Sequence, residues 1–489
     1  MNKNYFGWLL KNYRISALFF LILFAGISAI PLIPGSDVIS SYSLSIGIMT
    51  VFTLLMTFLL PVLLFAFVHR RRSADQFFAL PISRTKQLIT ILLFCFTMIF
   101  GIFALTALGL WLIYAARFVL FTKVLGAIAM AALMIAVMLI INTAFYLFAN
   151  NVFDGIVMIG AYTCIPLLVL GVIESFSMNM VAGENIFAVS GIPMWFSPLA
   201  MCWHNLSALL SPYSYAEDQF YWLYAIAAVL WALAGCAALY WHFIKRKTER
   251  AEQLSDHPMA YPLIINLYAV MIVTAIAFGY VIDYAIGYIT LYLLILFAYV
   301  AAQFIYRRKI RLTPKIFAAY ALITVLALGC AYAAKATDGF NLSQKYTYKT
   351  GDLLIFRYEA AVRPDRIDQP VSYDSGEEYV TIYADAEIPV NEIDRNPELT
   401  ALLEKLRQEG IRNFYQGKND SGAQIYFHNS YRNENVLRNT YFYRLSGPAS
   451  IEDLKMIDDS VYGTVTVQVY DEYEVKEYSL NEYMGKEGE

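Results

Sequence analysis

The groups in this chain that could act on a substrate are few and poorly placed to act together. Its five cysteines, Cys95, Cys164, Cys202, Cys236 and Cys330, show no Cys-x-x-Cys and no histidine at ligand spacing, so they read as small apolar packing residues. The acidic pairs Asp458-Asp459 and Asp471-Glu472 lack the spacing of a calcium loop and read as a solvated face. His428, the one histidine after residue 335, stands alone in a strand-like stretch. Asp37, Glu174, Glu184, Glu217, Asp218 and Asp283 share no spacing that would pair them for acid–base work. No Gly-x-x-x-x-Gly-Lys-Ser/Thr occurs, so the chain has no phosphate-cradling loop of its own. No catalytic residue, metal ligand or bound cofactor is assigned.

One segment has a pattern suited to mechanical work. His69–Leu88 reads HRRRSADQFFALPISRTKQL. Ala74, Phe77 and Phe78 fall at i, i+3 and i+4, which predicts a short helix with an apolar, aromatic face. Pro81 ends it, because a proline disfavours helix at the residue before it, and a second helix can start near Ser83. Taken by itself, the pattern also fits a basic connector whose Phe77 and Phe78 dip into a membrane interface.

The elements that must hold this segment are apolar. With 59% hydrophobic residues and a mean hydropathy of +0.51, the whole chain is not a soluble globule. Nine stretches, 15–33, 46–68, 89–114, 124–149, 155–173, 221–244, 263–282, 284–306 and 316–334, meet the ~20 mainly apolar residues that a span needs. The seventh and eighth form a tight hairpin at Asp283. The first follows Lys3, Lys11 and Arg14, but it is long for a secretory leader and reads as a span. With the N-terminus inside, 17 basic residues flank cytoplasmic ends, and only Arg117 and Lys123 lie outside. The positive-inside rule therefore predicts a plasma-membrane protein with a cytoplasmic N-terminus and an extracellular C-terminal domain. Spans with so little fixed charge disfavour coupling to an ion gradient. Asn142 and Thr143 in the fourth span read as interhelix hydrogen-bonding groups, with a pathway role as the minor reading. Tyr284, Tyr288, Tyr292 and Tyr299 share a face of the eighth, as packing or as a transmission surface.

The halves differ in charge. Residues 1–334 carry 19 Lys and Arg against 11 Asp and Glu; residues 335–489 carry 17 against 28. An acidic soluble part argues against nucleic acid. That part reads as α+β. Asn396-Pro397-Glu398 opens a helix faced by Leu399, Leu402, Leu403 and Leu406 and closed by Gly410. Ser450-Ile451-Glu452-Asp453 opens a shorter one, and strand alternation marks 378–384, 423–428, 440–445 and 464–470.

The basic run, Asp75, the aromatics Phe77 and Phe78, and then Leu80-Pro81-Ile82-Ser83-Arg84 resemble the first cytoplasmic loop of type-2 ABC transporter permeases. The resemblance covers roughly residues 1–245, six spans, and extends to an amphipathic N-terminal segment in which Phe6, Leu9, Leu10 and Tyr13 share a face. It extends also to the long external loop 174–220, where the family has short re-entrant or surface helices. The three further spans and the tail look similar, in layout alone, to larger Gram-positive members. The apolar stretches and the patterns of the tail together predict an all-α polytopic membrane bundle of about nine transmembrane helices with a C-terminal α+β extracytoplasmic domain, three spans and a domain more than the minimal family has. The resemblance marks off a six-span core with an interfacial helix (1–245), leaving a linker with three more spans (246–334) and the external domain (335–489).

It also implies a transport subunit, not an enzyme. Cytoplasmic ABC ATPase subunits would carry ATP and Mg and dock on the loop through Asp75, Phe77, Phe78, Leu80, Pro81 and Arg84. A second permease subunit, identical or paralogous, would complete it in the lipid bilayer, and the cargo would be an exported hydrophobic or amphipathic compound or peptide. The alternative is a membrane sensor or scaffold with an external ligand-binding domain; a membrane-embedded enzyme ranks below both.

Overall fold

The computed structural model describes residues 3–29, 38–112, 121–184, 194–208, 221–246, 249, 251–253, 260–283, 286–307, 313–343, 352–364, 366–370, 379–389, 397–416, 423–431, 437–445, 449–460, 463–470, 475–480 and 482–483. Among them lie eleven helices before residue 337: α1 (Lys3–Ala29), α2 (Val38–Leu64), α3 (Arg71–Phe78), α4 (Arg84–Leu110), α5 (Phe121–Phe148), α6 (Val152–Met180), α7 (Pro198–Ala208), α8 (Tyr221–Leu239), α9 (Tyr261–Asp283), α10 (Ile286–Arg307) and α11 (Pro314–Ala336). Eight helical stretches among the described residues are long and apolar enough to cross a membrane, and the bent pair Lys3–Ser16 and Leu18–Gly26 makes a ninth if it is counted as one span. The chain is a multi-pass helical membrane protein. The first expected span and the amphipathic segment before it are one helix, α1, bent by 45°. Leu10, expected on the apolar face of that segment, is exposed, whereas Leu9 is buried and Phe6 and Tyr13 pack on Phe94 of α4. The hairpin at Asp283 is present, α9 ending there and α10 starting at Ile286.

The chain divides into two compact units, one of residues 1–170 and 193–268, the other of residues 171–192 and 269–489. The expected boundaries at 245 and 334 fall inside these units. In the first unit α5 is the central helix, packed by α2, α4, α7 and α8. Small residues let backbones approach there. Ala127, Ala131 and Ala228 are buried, and a Cβ on Gly235 of α8 would stand 2.6 Å from the Ile140 side chain.

The second unit contains an antiparallel sheet of β1 (Gly183–Glu184), β2 (Asp352–Arg363), β3 (Arg366–Pro370), β4 (Val380–Pro389), β5 (Ala423–Tyr431), β6 (Leu437–Arg444), β7 (Gly463–Tyr470) and β8 (Val475–Ser479). Its order is β1-β6-β5-β2-β4-β7-β8, with β3 on β2. Two helices, α12 (Pro397–Gln416) and α13 (Ile451–Asp458), cover one face. Alternation sorts the strands: Phe356, Tyr358 and Ala360 of β2 and Ile382, Ala384 and Ala386 of β4 point into that core with Leu399, Leu402, Leu403 and Leu406 of α12. The Ser450 side chain caps α13, accepting from the Asp453 N–H at 3.1 Å. Gly410 does not close α12, which continues to Gln416. The apolar spacing carries on through Ile411 and Phe414, and Gly410 is buried within the helix. The expected helix start Asn396 lies outside the described residues. The central strand β2 went unpredicted because Ala360, Ala361 and Val362 are all buried, which erases the alternation at its end.

Candidate functional site

The segment expected to do mechanical work is built by three turns of chain. A 3-10 turn, Ala66–His69, ends α2; α3 follows from Arg71 to Phe78; Ser83 then caps α4, its hydroxyl accepting from the Lys86 N–H at 3.4 Å. Ala74 is completely buried, so α3 lies hard against the bundle. Its aromatic face is half-buried. Phe77 stacks on Phe67 with centroids 4.3 Å apart. Phe78 meets Phe67 at 6.2 Å and Phe243 at 5.7 Å, and the Arg84 guanidinium sits 4.3 Å over its ring. Apolar rings bury their faces where partners exist, and Phe65, Phe67 and Phe243 supply them. Phe77 and Phe78 are both half-buried, so the aromatic face expected to dock is shared between these contacts and the outside. Arg71, Arg72, Asp75, Gln76, Leu80 and Pro81 are the residues on the outside.

Charged and polar groups fasten this segment to the end of α8. Arg84 Nη1 donates to the carbonyls of Ile244 at 3.2 Å and Arg246 at 2.7 Å. The Arg71 N–H, in the first turn of α3, donates to Glu252 Oε1 at 3.3 Å, a carboxylate at a helix N-terminus. The Glu252 N–H donates to the Asn150 carbonyl. Behind the 3-10 turn, His69 is 1% exposed and edge-on to Tyr146 at 4.5 Å, with the backbones of Tyr146 and Asn150 beside its ring. Burial, with the Arg246 guanidinium second, holds its imidazole down to about 3. Tyr146 donates to the Val62 carbonyl at 3.1 Å, and a Cβ on Gly155 of α6 would stand 2.6 Å from its ring. Asp154, buried near the start of α6, accepts from Asn151 and from the Tyr261 hydroxyl at 2.7 Å. His69, Tyr146 and Phe243 carry no mark in the sequence, because their partners lie tens of residues away in the chain, and of Asp154's partners only Asn151 is local.

Asn142 joins three helices. Pro61 lacks an N–H, which leaves the Thr57 carbonyl of α2 without its helical donor. Asn142 Nδ2 donates to that carbonyl at 3.2 Å, and Asn142 Oδ1 accepts from Thr163 of α6 at 3.2 Å. Thr143 bonds within its own helix, to the Leu139 carbonyl. In the second unit, Tyr284 lies outside the described residues. Tyr288 occupies the notch left by Gly279, where a Cβ would stand 2.6 Å from its hydroxyl. Tyr280 lies beside both Tyr288 and Tyr292. The Tyr292 carbonyl accepts from Tyr320 of α11, and its own hydroxyl is buried with no hydrogen-bond partner.

Between α6 and α8, the 3-10 turn Met194–Phe196 and helix α7 pack on α2, α5 and α8. Cys202 of α7 reaches the Met134 carbonyl at 3.6 Å. Met134 lies about ten residues, or roughly 15 Å, past the start of the span at Val124.

The fold and site together define a polytopic helical membrane protein with a sheet domain on its C-terminal side. No protein-family model matches the chain, and no curated protein or solved structure matches it either.

Proposed function

We propose that this chain is the membrane-spanning subunit of an ATP-driven transporter, moved by a separate cytoplasmic ATPase that grips α3. The observation that carries the reading is the α3 junction. A short helix with an exposed edge of Asp75, Leu80 and Pro81 is locked by its other face to α2, α4 and the end of α8. A push on that edge moves three helices at once, because packed cores deform as units. The basic residues flanking the same side, Arg70, Arg71, Arg72, Arg84, Lys86 and Lys245 among them, support a cytoplasmic position. The likeness of the 69–88 loop to type-2 ABC permeases favours export of a hydrophobic or amphipathic compound, a peptide included, at an interface with a second permease subunit.

The test is co-purification with the ATPase. Asp75→Lys with Leu80→Asp should abolish recovery of the ATPase and leave the melting temperature of the membrane protein unchanged. Undiminished recovery rejects the docking role.

A second reading, a sensor or scaffold, is favoured by exposed polar groups on the sheet. Arg357 and Asp385 pair there at 2.8 Å across β2 and β4, with Glu359, Gln424, Tyr383 and Tyr426 around them in adjacent register. A ligand that binds this face, with no ATP-dependent solute movement in vesicles holding both proteins, selects the sensor.

A further inference from the structure

The end of α8 has a feature that the α3 junction does not use. Its last turn, Tyr240–Ile244, is a π-helix. Its consecutive residues Tyr240 and Trp241 have ring centroids 6.4 Å apart, with 48% and 63% of their surface exposed. Lys245 lays its ammonium 4.2 Å from the Trp241 centroid and 5.3 Å from that of Tyr240. Among the described residues no carboxylate pairs with Lys245. The span containing this turn ends at Ile244, so the two rings and the ammonium stand at the level of lipid headgroups.

We infer that the outer side of this π-turn binds the phosphate of an anionic diacyl phospholipid. The ammonium supplies N–H donors to a phosphodiester oxygen, the Trp241 indole N–H another, and the exposed ring faces suit the glycerol and first methylenes of a lipid. A free phosphate would leave those rings uncovered. The opposite side of the same turn is dry: Phe243 is fully buried against Phe65 and Phe78, and Arg84 takes the Ile244 carbonyl. Lipid on the outer side therefore steadies the surface on which α3 rests. This inference does not depend on the transport reading, since its assay contains no ATPase.

The full chain, purified in detergent, is mixed with phosphatidylglycerol, with phosphatidylcholine or with inorganic phosphate, and followed by native mass spectrometry and thermal unfolding. Phosphatidylglycerol should be retained and should raise the melting temperature; the other two should not. Lys245→Gln, a change at an exposed residue, should cut retention by roughly five-fold, and Lys245→Arg should keep it. Tryptic cleavage at Arg71 and Arg72 should slow with phosphatidylglycerol in the wild type and not in Lys245→Gln. Equal retention of the two lipids, equal stabilisation by inorganic phosphate, or unchanged retention in Lys245→Gln overturns the site.

Discussion

Pro61 removes one N–H from α2, and Asn142 answers that loss from α5. Interhelix hydrogen bonds within membranes contribute about 0.6 kcal/mol on average and up to ~1.7. Asn142→Leu should lower the unfolding free energy of the purified protein by an amount in that range, seen as a fall in its melting temperature. In a Pro61→Ala background, where residue 61 again offers Thr57 a donor, the penalty should shrink; a double-mutant cycle measures the difference. His69 gives a pH prediction. Its folded-state value, about 3, lies below the ordinary 6.5, so the unfolded chain takes up a proton that the folded one refuses. The resulting loss of stability starts as pH falls below about 6.5 and grows toward 3, reaching roughly 2 kcal/mol by pH 5. Thermal unfolding between pH 7.5 and 5 should show this slope in the wild type and a flatter one in His69→Leu. At this scale the sequence announced needs more readily than their answers. A proline inside an apolar run requires a donor from elsewhere; that Asn142 provides it follows only from how α2 and α5 cross.

The same limit applies to elements. Spans were legible because hydrocarbon demands a long apolar helix, and α3 because Ala74, Phe77 and Phe78 recur at helical spacing. Which way that face pointed was not legible, since Phe67 and Phe243 come from other elements. These ring contacts have a measurable consequence: Phe77→Asp with Phe78→Asp should reduce the yield of folded protein by setting two carboxylates against the Phe67 and Phe243 rings, whatever partner is present. Gly235→Leu should separate α8 from α5, since even a Cβ there meets Ile140 at 2.6 Å. A drop in melting temperature with the α2-side contacts of Asn142 intact, read as an unchanged Asn142→Leu penalty, would confine the damage to the α5–α8 seam.

For the molecule as a whole, the basic residues predict that the sheet domain is outside the cell. A single cysteine in place of Glu398, at the exposed start of α12, in a chain stripped of its five native cysteines, should react with an impermeant maleimide on intact cells. Labelling only after lysis would reverse the orientation. Gly339 is held at φ +67, and a Cβ there would stand 2.4 Å from the Met180 carbonyl. Gly339→Val should disturb the second unit through both strain and contact.

The sheet borrows a piece from far upstream. Gly183 and Glu184 pair with Phe442 and Tyr441, the Ala182 N–H donates to Ser343 Oγ, and Tyr415 donates to the Met180 carbonyl. The ribosome releases that short edge more than 250 residues before its mate in β6 exists. Until translation ends, the connector after α6 has no sheet to join. Cut out as a cassette, the tail would lose its outermost ribbon and bare a row of backbone groups that invite pairing with other chains.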